Sequence, residues 1–296
     1  MNTLSVSILW GMFLCEQYSF YRLYLLHSLL FSLCLTMISL AQLASTHNTD
    51  KLSNNQYIKN FERHFSSLRD KPIRLLEIGV LDGGSLLLWR DYFPNAHIVG
   101  LDLRESPFET LPDRIQVFQG SQEDSILISN IAAECAPEGF DIIIDDASHI
   151  GVLTRSSYQS LFENHLKSGG IYVTEDWGTG YWPEWPDGSC YSDSLPKPVH
   201  KINRAATYLS RVQAKLRQAL RLGFNDPMQT KKCLRPSDEN FSSHNYGMVG
   251  FIKELVDEVA WPDIIHPKYG DSSLAKRPSS ISQLTLYTGH AFIVKA

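Results

Sequence analysis

The stretch LLEIGVLDGGSLLLWR, residues 75–90, decides how this chain is read. It opens with an apolar run ending at Ile78, passes through Glu77, Gly79, Gly83 and Gly84, and continues into an apolar-periodic segment from Ser85. That is a buried strand, a glycine turn and a helix. Glycines at such a turn let backbone approach a ligand at the carboxyl end of a strand, where open α/β sheets bind their ligands. Asp102 follows Gly79 by 23 residues, at the end of the next apolar run. An acidic residue at that spacing can accept hydrogen bonds from both ribose hydroxyls of a nucleoside.

Working outward, short apolar runs at 73–78, 97–103, 115–119, 140–145 and 170–174 alternate with helical patterns at 85–92, 124–133 and 153–166, after a first helix near 57–68. This alternation predicts a doubly wound, mostly parallel sheet covered on both faces. The runs at 280–287 and 291–295, around Thr288-Gly289, predict a closing antiparallel hairpin and a seven-stranded α/β sheet.

Two adenosine cofactors suit this frame, a dinucleotide and S-adenosylmethionine. A dinucleotide site prefers G-x-G-x-x-G so that pyrophosphate sits on the helix N-terminus. Here the order is E-x-G-x-x-x-G-G, with Glu77 placed to repel phosphate and to suit a cationic amino group. The stretch resembles the first motif of class I methyltransferases, and the resemblance implies that the pocket takes S-adenosylmethionine. It also implies that Ser121 and Gln122, after the third strand, contact the adenine end. As an ordinary strand-to-helix turn, the same segment would use Ser121 as a helix cap.

The fourth and fifth runs end in acids: IIIDDASH over 142–149 and YVTEDW over 172–177. Adjacent parallel strands lie about 4.8 Å apart, so carboxylates from two strand ends can converge on one cation. Clustered acids raise one another's pKa, and a divalent cation relieves that repulsion. Oxygen donors favour Mg2+, with Mn2+ as the second choice, over zinc. These residues resemble the metal-dependent O-methyltransferases of macrolide antibiotic sugars and their cephalosporin hydroxylase-like relatives, over about residues 46–182. The resemblance implies that Asp146, Glu175 and Asp176 ligate the metal, that His149 is the general base, and that Asp145 faces the cofactor. Neighbouring strand residues point to opposite faces, so Glu175 and Asp176 can both ligate only if the strand has ended. A nicotinamide-dependent oxidoreductase and a non-catalytic binding module of the same fold are the rival readings.

A net charge of −5 without a basic run excludes nucleic acid as the main partner and favours a hydroxylated small molecule, a sugar or macrolide-like polyol. The five cysteines, at 15, 34, 135, 190 and 233, form no CxxC pair and read as reduced thiols of a cytoplasmic protein. Residues 23–44 are uncharged over 22 positions, long enough to span a bilayer. Residues 1–36 therefore read as an upstream extension ahead of a start at Met37, as a membrane anchor, or as a signal peptide. Membrane contact is expected only in the anchor case. The methyltransferase domain is expected over 37–296, starting with a short amphipathic helix that runs into a polar loop. An insertion at about 177–245 combines an aromatic loop over the site, in which Tyr181, Trp182 and Trp185 suit a sugar face, with a periodic helix over 202–222. That helix packs on the domain or on a second copy, which leaves a homo-oligomer open.

Overall fold

The computed structural model describes residues 38–52, 55–190, 245–271 and 273–296. The helix expected over 202–222 and the N-terminal run up to residue 37 lie outside the described residues. Among those described, no helix is long and apolar enough to cross a membrane.

In chain order the elements are α1 (Leu40–Ala44), α2 (Asn55–Phe65), β1 (Arg74–Ile78), α3 (Gly84–Tyr92), β2 (His97–Asp102), β3 (Ile115–Gln119), α4 (Ser125–Cys135), β4 (Phe140–Asp145), α5 (Gly151–Asn164), β5 (Leu166–Glu175), α6 (Gly247–Val259), α7 (Trp261–Ile264), β6 (Ile281–Leu286) and β7 (His290–Lys295). The strands form one seven-stranded sheet ordered β3-β2-β1-β4-β5-β7-β6. The first five are parallel, while β7 runs antiparallel between β5 and β6. The expected architecture is therefore the observed one. The fifth strand starts earlier than its apolar run, at Leu166 through Ser168-Gly169-Gly170, with a register irregularity opposite Phe140.

Strand alternation sorts the core into two layers. Leu75, Ile98, Ile142, Ile144 and Val173 face one side, beneath Phe61, Phe65, Trp89 and Tyr92 from α2 and α3. Leu76, Val99, Ile143, Tyr172 and Ile293 face the other, against Ile131 of α4, Leu161 of α5 and Phe251 and Leu255 of α6. Helix α1 belongs to the first layer, with Leu40 and Ala44 fully buried. A capping box between Ser39 and Gln42 starts it. Leu40 and Ala44 of the uncharged run are thus part of the domain core.

Glu258 fastens the segment ahead of β6. It accepts hydrogen bonds from Arg277, from the Ser280 backbone N–H at 2.7 Å and from the Ser280 hydroxyl at 2.9 Å. The Arg277 bond first, and the Ser280 bonds after it, hold its carboxyl down at about 2 against the smaller opposing effect of burial. A depressed carboxylate stabilises the fold above its unfolded value, about 4.3, and loses that contribution as pH falls through the folded value. Glu258→Gln should therefore lower stability by about 1 kcal/mol near pH 7, allowing for solvent screening. It should also flatten the pH dependence of Tm between about pH 5 and 2 relative to the parent chain. Parallel pH profiles for the two proteins would show that this latch carries no weight.

Candidate active site

All the acidic strand ends emerge along one edge of the sheet. On β1 the penultimate residue, Glu77, turns to the α2–α3 side, as does Glu175 at the end of β5. Both are fully buried. Asp146 is the first residue past β4 and Asp176 the first past β5. The strand has thus ended between Glu175 and Asp176, and Asp176 sits at φ +51°. His149 also has φ +51°. Two non-glycine residues in the left-handed region, both at one site, are held there by their surroundings at a cost to the backbone.

Lys51 organises the buried part of the cluster. It lies in a short 3-10 turn ahead of α2 and is only 2% exposed. Its Nζ stands 2.7 Å from Glu175 Oε1, 2.9 Å from Asp146 Oδ2 and 3.3 Å from Glu77 Oε1. Burial works against its charge, but the attraction of Asp146, Glu175 and Glu77 outweighs it and holds the ammonium well above its ordinary pKa. For Glu175, burial is opposed by Lys51 and by His290, which stands 3.2 Å away, and its carboxyl is held down at about 2. Burial and the charge of Glu175 push the Asp146 carboxyl up in spite of Lys51, and burial does the same to Glu77.

Outside this ion pair lies a more open group. His149 Nε2 is 3.8 Å from Asp146 Oδ1 and 3.9 Å from Asp176 Oδ2, and one ligand atom from each of the three falls within 4.8 Å of the others. The carboxylate oxygens at that separation fit a hard divalent cation that keeps part of its water shell, with the imidazole beside it free to act as a base. Tyr57 donates to Asp176 Oδ1 at 2.5 Å. Burial and the Asp176 carboxylate push its phenol far above the usual range, so it stays a donor.

Two cavities meet at these residues. The first, about 390 Å3, is walled by Gly79, Asp102, Ser121, Gln122, Asp146 and His149 among others, and by residues 48–50 of the N-terminal segment. The second, about 340 Å3, is lined by Asp50, Lys51, Tyr57, Trp182 and Thr288. Asp50, Asp146 and Asp176 belong to both.

Of the expected cofactor residues, Gly79, Asp102, Ser121 and Gln122 line the first cavity, and Glu77, Gly83 and Asp145 do not. Glu77 faces Lys51 and accepts from Ser85 Oγ at 2.8 Å, so the cation beside it belongs to the chain. At Gly83 the positive φ of +79° serves the turn, and a Cβ there would strike the Phe108 ring at 2.4 Å. Alternation along β4 turns Asp145 to the α5 side, where it accepts from Ser157 Oγ at 2.6 Å and Tyr172 OH at 2.9 Å. Ser157 in turn accepts at 3.3 Å from the Gln122 amide, which ties that side chain in place on the cavity wall. Ser121 does not cap α4; Asp124 does, accepting from Ile126 and Leu127 N–H groups at 3.1 and 3.0 Å. Two backbone amides at 2.8 and 3.1 Å, from Val80 and Leu81, already bind Asp102 Oδ2, which steers the glycine turn. Gly79 is obligatory for a steric reason as well, since a Cβ there would lie 2.2 Å from the Asp146 carbonyl oxygen.

Lys51, Tyr57, His290 and Asp187 also belong to the site or brace it, and no motif marks them in the sequence. Asp187 lies in the aromatic segment, is buried, and accepts from Gly151 N–H at 2.7 Å and Met248 N–H at 2.8 Å. One carboxylate therefore caps the starts of both α5 and α6, and the segment is fixed to the helices behind the site. The described part of that segment holds two 3-10 turns, Trp177–Tyr181 and Gly188–Cys190. Trp185 brings its ring 5.6 Å from that of His149. Asp187→Ala should cost about 2 kcal/mol, the loss of two caps, and increase amide exchange at the first turns of both α5 and α6. Unchanged exchange at both turns would refute the double cap.

No family model matches the chain. Curated relatives do. Mycinamicin VI 2''-O-methyltransferase of Micromonospora griseorubida is 40% identical over 153 residues, 49% of this chain and 37% of that protein. A tetracenomycin-C rhamnosyl 3'-O-methyltransferase of Streptomyces olivaceus is 39% identical over 153 residues, 49% of this chain and 38% of that one. A solved methyltransferase of the mycinamycin pathway, in complex with Mg and SAH, superposes with a TM-score of 0.60 at 28% identity, covering 87% of this chain and 54% of that one. The sequence's resemblance to sugar O-methyltransferases and the class I methyltransferase fold are both met. The chain spans well under two thirds of the length of these relatives.

Proposed function

We propose that this chain transfers the methyl group of S-adenosylmethionine to a hydroxyl of a sugar or similar polyol on a small molecule, with a divalent cation at the Asp146–Asp176 edge. The observation that carries the reading is the meeting of two cavities at Asp146 and Asp176 with His149 beside them. The relatives, O-methyltransferases by name, of mycinamicin VI and of a rhamnosyl tetracenomycin-C, support the same class.

In this reading the first cavity holds the methyl donor, with its ribose at Asp102 and its adenine towards Ser121 and Gln122. The second holds the acceptor between Tyr57 and Trp182, whose ring is half exposed and suited to an apolar sugar face. A divalent cation, Mg2+ first and Mn2+ second, supplies positive charge that lowers the pKa of a hydroxyl beside it. Asp146, Glu175 and Asp176, which all line the second cavity, would hold that ion in place. His149 Nε2 takes the proton of the attacking hydroxyl. As the O–CH3 bond forms, the S–CH3 bond breaks and the sulfonium leaves as a neutral thioether. Holding the hydroxyl in line with the methyl group is the larger part of the catalysis. The acceptor is a small molecule and not a nucleic acid, and a cytoplasmic setting suits the buried free thiol of Cys135.

His149→Ala and Asp146→Ala should each lower methyl transfer by about 10²-fold or more, while calorimetry still records S-adenosylmethionine binding. Methyl-labelled donor and a panel of deoxysugar-bearing macrolides and tetracenomycins provide the assay, and EDTA should silence the parent chain. Full transfer in EDTA would remove the cation from the mechanism.

A further inference from the structure

We propose that Gln122, held in one orientation by the buried carboxylate of Asp145, is a positioning residue that fixes the loop carrying His149 beside the donor cavity. Asp145, which lines neither cavity, then serves the reaction through Gln122. The inference rests on the reading above only for the role of His149.

A primary amide has one accepting end and one donating end, a carboxylate only accepts, and a backbone N–H only donates. Gln122 Oε1 accepts from the Ser148 N–H at 3.2 Å, and its Nε2 stands 3.3 Å from Ser157 Oγ and 3.5 Å from Asp145 Oδ1. The side chain therefore fits between Asp145 and the Ser148 peptide in a single orientation. Asp145 is itself locked, with Oδ2 accepting from Ser157 Oγ at 2.6 Å and from Tyr172 OH at 2.9 Å. All four side chains are buried, Ser157 and Tyr172 completely, so bulk water does not compete for these bonds. The bond to Ser148 lies one residue ahead of His149, whose φ of +51° needs outside support. Thr179 Oγ1 holds the other side, donating to the His149 carbonyl at 3.3 Å. The chain on both sides of the base is thus clamped, by the loop after β3 and by the turn after β5. Gln122, Ser148 and His149 also share the wall of the first cavity, so the clamp ties the base to the pocket of the methyl donor.

Exchanging the polarity of the pair in the full chain tests this. Ser157 and Tyr172 both donate, so in Asp145→Asn the new amide keeps its oxygen for them and turns its NH2 towards that of Gln122. Exchange of the Ser148 amide should then quicken by about tenfold. Through misplacement of His149, kcat for methyl transfer should fall by about 10- to 100-fold. Affinity for S-adenosylhomocysteine, read by calorimetry, should stay within about threefold. The double variant Asp145→Asn, Gln122→Glu keeps the parent's net charge and restores an acceptor opposite each donor, so it should recover slow exchange and most of the turnover. Parent-like exchange and turnover in Asp145→Asn, or a double variant no better than Asp145→Asn, overturns the proposal while leaving the proposed function intact. Should these variants fail to fold, Ser157→Ala, at a position that lines neither cavity, decides by the same exchange and kcat readouts. A parent chain without methyl transfer would instead sink the proposed function, and the Ser148 exchange would still decide the clamp.

Discussion

Buried like charges must be compensated or they unfold the edge of the sheet that carries them, and this constraint governs the site. Glu77, Asp146 and Glu175 come together at the carboxyl ends of β1, β4 and β5, and Lys51 stands between them at ion-pair distance from each. Removing one partner of such a set leaves an unpaired charge in the interior, typically at a cost of about 3–5 kcal/mol. One ammonium cannot balance three carboxylates and the neighbouring Asp176. The remaining negative charge lies on the side that opens to both cavities.

The parts that meet this constraint come from distant stretches of chain. The turn carrying Lys51 precedes α2, His290 begins β7, and Tyr57 of α2 reaches Asp176 beyond β5. Gly289 makes room for that last contact, since a Cβ there would lie 1.8 Å from the Tyr57 hydroxyl oxygen. Its φ of +80° also suits the turn between β6 and β7. The closing hairpin therefore finishes the sheet and braces the acidic edge at once.

Much of this was legible in the sequence, for identifiable reasons. Apolar runs buried on both faces gave the five parallel strands, and turn residues around Thr288-Gly289 gave the hairpin. Acids at strand ends stood out because DDASH and TED interrupt apolar text. What failed to show was the partner of those acids. Lys51 lies in the polar stretch THNTDK, where a lysine reads as solvated, and only long-range packing buries it. Glu77 was legible as an acid suited to a cation, and in the structure the Lys51 ammonium stands beside it. The resemblance gave Asp145 and Asp146 different roles, and the structure separates them by period-two alternation: the first turns to Ser157 and Tyr172, and the end of β4 releases the second towards the cavities. Asp187 is hidden for the same reason as Lys51, because the helix it caps at Gly247 begins 60 residues later.

The most direct measurement is a crystal structure of the full chain grown with Mn2+ and S-adenosylhomocysteine, read by anomalous scattering at the manganese edge. A single peak at the Asp146–Glu175–Asp176 edge, with the nucleoside ribose at Asp102, is the expected result. No peak at that edge, or a nucleoside bound outside the cavity walled by Gly79 and Gln122, would contradict it.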